Sequence, residues 1–201
     1  MSVTTINDGI VNITVNGSTG EGDGIDSNGW LVINGGIVTA AACGFSMDAG
    51  IDSDMGIHIN GGTVIASGNM LDEIADSEQT YAVFMTMNAI KGGTKIALKN
   101  EIGDYVAGTT IANDCTCLAI SSADLLPGTY TLWENDKQLK VSEMGGGMFG
   151  KPGGGKFKPD GEMPQMPEGE APEFPGGSFG EMEATEEFTV KEGANMFLIM
   201  K

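Results

Sequence analysis

The sequence predicts an all-β fold in which the first third is a right-handed parallel β-helix, followed by further β-strands and interrupted by a long disordered Gly/Pro/Met-rich insertion. Three observations carry this expectation. Gly24 to Ala40 (GIDSNGWLVINGGIVTA) and Gly50 to Ala66 (GIDSDMGIHINGGTVIA) agree at ten of seventeen positions at an offset of 26. Short β-branched runs, Leu31-Val32-Ile33 and Ile37-Val38-Thr39, flank an Asn-Gly-Gly turn signal with no helical periodicity between them. Glycine supplies 32 of 201 residues and aromatic residues only 6%, a balance that favours turns and strands over long helices.

Residues 1–68 form the expected helical coils. A further copy of the turn, Ile6-Asn7-Asp8-Gly9-Ile10-Val11, aligns with Ile33–Val38 and Ile59–Val64 at offsets of 27 and 26. Stacking equivalent residues about 4.8 Å apart buries columns of Ile and Val and pairs the backbone of each coil with its neighbours. Asn7, Asn34 and Asn60 then recur at one position, where their amides can bond along a ladder while the following glycines permit positive φ. In residues 69–143 the repeat stops. Asn69 to Gln79 reads as an acidic connection with room for a short helical turn. Strands are expected near 81–87, 94–98, 104–107, 115–121, 130–134 and 138–142, separated by Gly92-Gly93, Asn113-Asp114 and Pro127-Gly128. Residues 144–184 are low in complexity, a Gly, Pro, Met and Glu run without period. Residues 185–201 regain strand character, so the last strand is expected to return to the fold.

The formal charge is −18, with ten lysines and no arginine. That excludes nucleic acid and anionic membrane surfaces as direct partners, because both need cations from the protein. An anionic polymer would need bridging cations. No run approaches the ~20 apolar residues of a membrane span. Met1 is followed almost at once by a full repeat element, so we expect the chain to belong to a larger parent. Cys43, Cys115 and Cys117 are too few for a disulfide framework. Cys115 and Cys117, two apart, should share one side of a strand and be buried rather than bind zinc.

The acids Asp23, Asp26, Asp48, Asp52 and Asp54 cluster at the coil turns, with no Lys or Arg before Lys91. If Asp26 stacks on Asp52 at ~4.8 Å, the two carboxylates repel by about 3.5 kcal/mol at an effective dielectric near 20, and by about 0.9 in water. A bound cation reverses that penalty. Oxygen-only ligands, the aspartates with Asn28, Ser27 and Ser53 nearby, suit calcium. The other reading is that these aspartates cap turns and face solvent.

His58 occupies the position of Val32 in the preceding coil, should point outward, and as the sole histidine has no partner for a triad or metal site. The many carboxylates are not in themselves a glycosidase signal. A lyase would need a Lys or Arg base that the coils lack. The glycine runs have no following Lys-Ser/Thr and cradle no phosphate. Methionine-rich stretches without His or Cys are no copper site. Trp30, facing the small Gly56 of the next coil, is the best candidate for stacking on a sugar, with burial in a flank as the other reading.

With GDGIDSNG, the repeated INGG(I/T)V and LLPGTYTLW in view, the chain resembles a bacterial family of extracellular carbohydrate-binding parallel β-helix proteins, similar in fold to pectate lyases but without lyase activity. The resemblance covers residues 1 to about 143 and the final strand, although only three coils are recognisable. It implies an extracellular or cell-surface protein, calcium held between coils at the GDGID-type turns, and affinity for polygalacturonate or cellulose. The expected function is therefore non-catalytic, calcium-dependent polysaccharide binding, through Asp23, Asp26, Asn28, Asp48, Asp52 and Asp54 as metal ligands and Trp30 as sugar contact. A structural or adhesive surface solenoid, or a divergent lyase or hydrolase, are the competing readings.

Overall fold

The computed structural model describes residues 2–16, 22–75, 78–144 and 183–201, so the expected insertion lies almost wholly outside the described residues. All regular structure among them is β. The first repeat supplies β1 (Ser2–Ile6) and β2 (Ile10–Thr14). The second supplies β3 (Ile25–Ser27), β4 (Gly29–Ile33) and β5 (Ile37–Ala41), and the third β6 (Ile51–Ser53), β7 (Gly56–Ile59) and β8 (Thr63–Gly68). Equivalent strands pair in parallel as β1-β4-β7, β3-β6 and β2-β5-β8. Their registers, Ser2↔Gly29 and Ile10↔Ile37, then Trp30↔Gly56 and Ile37↔Thr63, are the offsets of 27 and 26 read from the sequence.

Period-two alternation sets which side chains face inward. Leu31 and Ile33 of β4 are buried beneath Ile57 and Ile59 of β7, and Val38 and Ala40 of β5 beneath Val64 and Ala66 of β8. Each such Leu, Ile or Val contributes roughly 1.5–3 kcal/mol by leaving water. The turns between strands stack as closely as the strands. Asn34 Nδ2 donates to Asn7 Oδ1 at 2.9 Å, and Asn60 Nδ2 to Asn34 Oδ1 at 3.0 Å. Gly36 and Gly62 both have φ near +84°. A Cβ at Gly35 would lie 2.6 Å from the Asn7 carbonyl oxygen, and one at Gly61 2.5 Å from that of Asn34. The first repeat carries Asp8 at this position, on the side where no described strand stacks.

The second half contributes β9 (Tyr81–Ile90), β10 (Lys95–Asn100), β11 (Tyr105–Thr110), β12 (Cys115–Ser122), β13 (Gly128–Glu134), β14 (Lys137–Gln138), β15 (Lys140–Glu143), β16 (Glu187–Val190) and β17 (Ala194–Met200). Five of the expected strands, near 81–87, 94–98, 104–107, 115–121 and 130–134, are present and longer than their patterns indicated, whereas the one expected at 138–142 is divided between β14 and β15, which lie in different sheets. β12 pairs antiparallel with β8, so one seven-stranded sheet, β15-β17-β9-β12-β8-β5-β2, runs without a break across residue 68. This extends the β2-β5-β8 face into the second half, while β1 and β2 are edge strands on the side of the first repeat. The last strand does return, lying parallel to β9. A second sheet, β11-β10-β13-β14 with β16 also on β13, folds over a separate core in which Phe84, Phe188 and Phe197 meet at 4.6–5.6 Å between ring centroids. Asn113, from the expected Asn-Asp turn, joins the two halves by donating to the carbonyls of Val15 and Ala42, each at 2.7 Å.

Two local expectations are corrected. Residues 69–75 form no helical turn: they run alongside the third repeat through bridges Ala49↔Met70 and Ile57↔Ile74. Cys115 and Cys117 do not share a side. A register irregularity between them sends Cys115 into the core beneath the second sheet and Cys117 into the core of the repeats. Both are free and buried as expected, and burial pushes each thiol up to about 12.

The close approach of successive turns gives a direct test. Gly61→Ala should cost about 1–3 kcal/mol, because a methyl must be fitted against a backbone carbonyl. Asp8→Ala, on the open side, should cost about 0.5 kcal/mol or less. Urea unfolding of the two variants compares them, and equal effects would contradict the stacking geometry.

Candidate functional site

The outward face of the repeats holds the candidate residues because strand alternation puts them there. Along β3, β4 and Asn28 between them, the side chains of Asp26, Asn28 and Trp30 point away from the buried Ile25, Ser27 and Leu31. The inner serines hold the turn shut: Ser27 Oγ donates to Thr4 Oγ1 at 3.0 Å, and Ser53 Oγ to the Gly29 carbonyl at 2.5 Å.

The register sets Asp26 directly opposite Asp52. Burial, followed by the charges of Asp72, Asp23, Asp26 and Asp54, pushes the Asp52 carboxyl up to about 6. Four further aspartates thus bear on Asp52, and one of them, Asp72, was not among the sequence candidates. Asp72 lies on the segment that runs beside the third repeat, and its Oδ2 accepts from the Ser53 amide at 2.9 Å. Its own carboxyl is raised, chiefly by burial. The signal was present as a recurring apolar-Asp pair, Ile25-Asp26, Ile51-Asp52 and Leu71-Asp72, but the last interval is 20 residues rather than 26.

The other candidates are distributed around this pair. Asp23 Oδ1 accepts from the Ala49 amide at 2.7 Å, tying one repeat to the next. Asp54 is exposed on the following rung, where its amide donates to the Ser27 carbonyl at 3.0 Å. Asn28 is exposed, and its carbonyl accepts from Ser2 Oγ at 2.7 Å. Asp48 stands apart: its Oδ2 is buried with no hydrogen-bond partner among the described residues, and its charge acts on Cys43. The Cys43 thiol is lowered by the Phe45 amide and Ser46.

The donor set is therefore all oxygen and mutually repulsive, which fits a hard divalent cation in chemistry. In geometry it is partial, since among the described residues no group of three or more His, Cys, Asp or Glu side chains is gathered to hold a metal. The pair Asp26–Asp52 is the part of the set that the backbone brings together.

Trp30 points outward from the neighbouring sheet, β1-β4-β7. It is half-buried, packs 5.2 Å from the His58 ring, and reaches over Gly56, where a Cβ would stand 3.2 Å from its Cζ3. The bare glycine thus leaves the ring room to lie along the sheet. His58 points outward as expected but is half-buried against this tryptophan.

No protein-family model matches the sequence, and comparisons with curated proteins and with solved structures return no match. Among the described residues, no helix is long and apolar enough to cross a membrane.

The raised Asp52 carboxyl has a definite sign for stability. Its folded value, about 6, lies above the ordinary 3.8, so its favourable contribution is complete below about pH 4 and is lost as pH rises through about 6. In metal-free protein, Asp52→Asn should therefore gain about 1 kcal/mol near neutral pH, the effect being reduced by solvent screening. Below about pH 4 the variant should match the parent. Urea unfolding at the two pH values checks this, and a gain of the same size at both would refute it.

Proposed function

We propose that the chain is a non-catalytic polysaccharide-binding protein of the extracellular or cell-surface type, built on right-handed parallel β-helix coils, and that it binds a cell-wall-type glycan, polygalacturonate or cellulose, with calcium at the acidic strip. The observation that carries this reading is the in-register pair Asp26↔Asp52 with its raised carboxyl. Parallel pairing at 26–27 residue intervals supports the coil assignment.

In this reading Asp26 and Asp52 hold the cation from adjacent rungs, with Asp23, Asn28, Asp54 and Asp72 contributing charge and oxygen atoms around them. Calcium, when bound, neutralises the strip and offers coordination positions to sugar oxygens. Trp30 supplies an apolar ring beside the strip, suited to the C–H face of a sugar. The chain's own residues orient the glycan and exclude water from its lower face. No bond of the glycan need break: the strip has no lysine or arginine before Lys91 in the sequence, and His58 is engaged with Trp30 rather than with a carboxylate.

A second reading, a structural or adhesive spacer with no specific glycan, has one observation on its side: three carboxylates do not converge among the described residues. Thermal unfolding separates the two. Calcium at about 100 times its Kd should add about 2.7 kcal/mol to stability, chelator should abolish the gain, and Asp26→Ala or Asp52→Ala should remove it. Binding to immobilised polygalacturonate should follow the same pattern, with Trp30→Ala weakening it. A midpoint indifferent to calcium leaves the spacer.

A further inference from the structure

The outer face of the second sheet is unlike the rest of this acidic chain. Three of the seven lysines among the described residues are in ion pairs: Lys91 with Asp114, Lys191 with Glu143 and Lys201 with Glu134. Lys95 and Lys99 are not, and both project from β10 on the side away from the buried Ile96 and Leu98. Register places Tyr105, Lys99, Thr131 and Glu187 in one row across β11, β10, β13 and β16, and Gly108, Ala97, Trp133 and Gln138 in the next.

Two rings flank the central lysine. Lys99 Nζ lies 4.2 Å from the centroid of Trp133, whose Nε1 donates to Thr131 Oγ1 at 2.9 Å and so holds the indole along the strand. On the other side Tyr105, 64% exposed, donates its hydroxyl to the Gly108 carbonyl at 2.9 Å, laying its ring along β11. Between the rings the floor is Ala97 and Gly108, the two smallest residues on the face. The rings stand two strand spacings apart, about 10 Å, the reach of a disaccharide.

Resting on the polysaccharide-binding reading above, we propose that this face is a second glycan subsite, one that takes an acidic saccharide directly, without calcium. Charge selects the ligand. In a chain of −18, Lys99, which has no ion pair, sits here between the exposed Tyr105 and the half-buried Trp133, with Lys95 on the same face. A sugar carboxylate completes the Lys99 ammonium, Lys95 adds charge along the chain direction, and Tyr105 stacks on the neighbouring ring while Thr131 and Gln138 meet hydroxyls. Glu187, at the far end of the first row, limits the basic patch on that side and sets the direction from which a polyanion approaches. The two subsites would then treat one polymer in opposite ways, through a bridging metal at the repeats and through ammonium groups here.

Calorimetric titration of the full chain with a galacturonate hexamer in excess chelator tests this. Binding is expected, weakening as salt is raised because exposed charges are screened. Lys99→Gln should lose about tenfold in affinity, Tyr105→Ser should lose less, and a neutral glucose hexamer should bind no better than the Lys99→Gln variant binds the acidic one. Lys99→Gln and Tyr105→Ser are surface changes, so an unaltered melting temperature confirms that each variant is folded. The double variant Asp26→Asn/Asp52→Asn should leave this chelator-resistant binding intact while losing any calcium-dependent binding, so failure of either subsite is seen separately. Absence of binding in chelator, or binding indifferent to Lys99→Gln, would overturn the proposal.

Discussion

Parallel pairing of one repeat on the next fixes the rest of this molecule. Once Ser2 lies opposite Gly29 and Trp30 opposite Gly56, every outward residue is committed to a neighbour one strand spacing away. The register puts Asp26 against Asp52, joins the three asparagines in a chain of amides, and gives Trp30 a glycine to lie over. It also demands glycine at the turns, because backbone carbonyls of one rung occupy the space a side chain would need on the next. The same constraint thus generates both the strength of the stack and its electrostatic cost. Hydrophobic columns are buried inside while like charges are aligned outside.

Much of this was legible in the sequence because a repeat states its own register. The offsets of 26 and 27, the asparagine ladder and the outward placement of Asp26 and Trp30 follow from aligning the chain with itself. What escaped did so where the period fails. Asp72 belongs to the acidic strip, but it arrives 20 residues after Asp52 on a segment with no repeat signature, and only backbone bridges place it there. The separation of Cys115 from Cys117 depends on one irregularity in a strand whose residues all read as apolar or small. The pairing of β8 with β12 joins elements 50 residues apart and has no local signal.

Charge was the property that composition described least well. A total of −18 argues against contact with any polyanion, but a total is an average over a surface that the fold sorts. The aspartates of the first half gather on the repeats, and Lys95 and Lys99 share one face of a separate sheet, Lys99 between two aromatic rings. The two faces have opposite local character, and association at short range depends on the local field once salt screens charges more than about 8–10 Å away. Period-two alternation on β10 achieves this sorting with very few residues, since Lys95, Ala97 and Lys99 share one face while Ile96 and Leu98 fill the core.

Asp8 gives the stack a direction. At Gly35 and Gly61 a side chain would strike the asparagine carbonyl of the preceding rung, and Asp8 carries a side chain at this same place, its Oδ1 accepting from the Gly9 amide at 2.7 Å. Among the described residues no rung stacks on that face, and a rung repeating the contact made at Gly35 and Gly61 there would have to accommodate the Asp8 side chain; a charged residue on an exposed edge is also a poor template for a stray strand. On the opposite side β12 pairs with β8, so the two sides of the described repeats differ: a foreign strand continues one, and a non-glycine residue stands on the other. Within the described repeats, an added unit would fit most readily between the existing ones, where glycine already meets carbonyl, so that the number of rungs can change while the contacts on either side are kept.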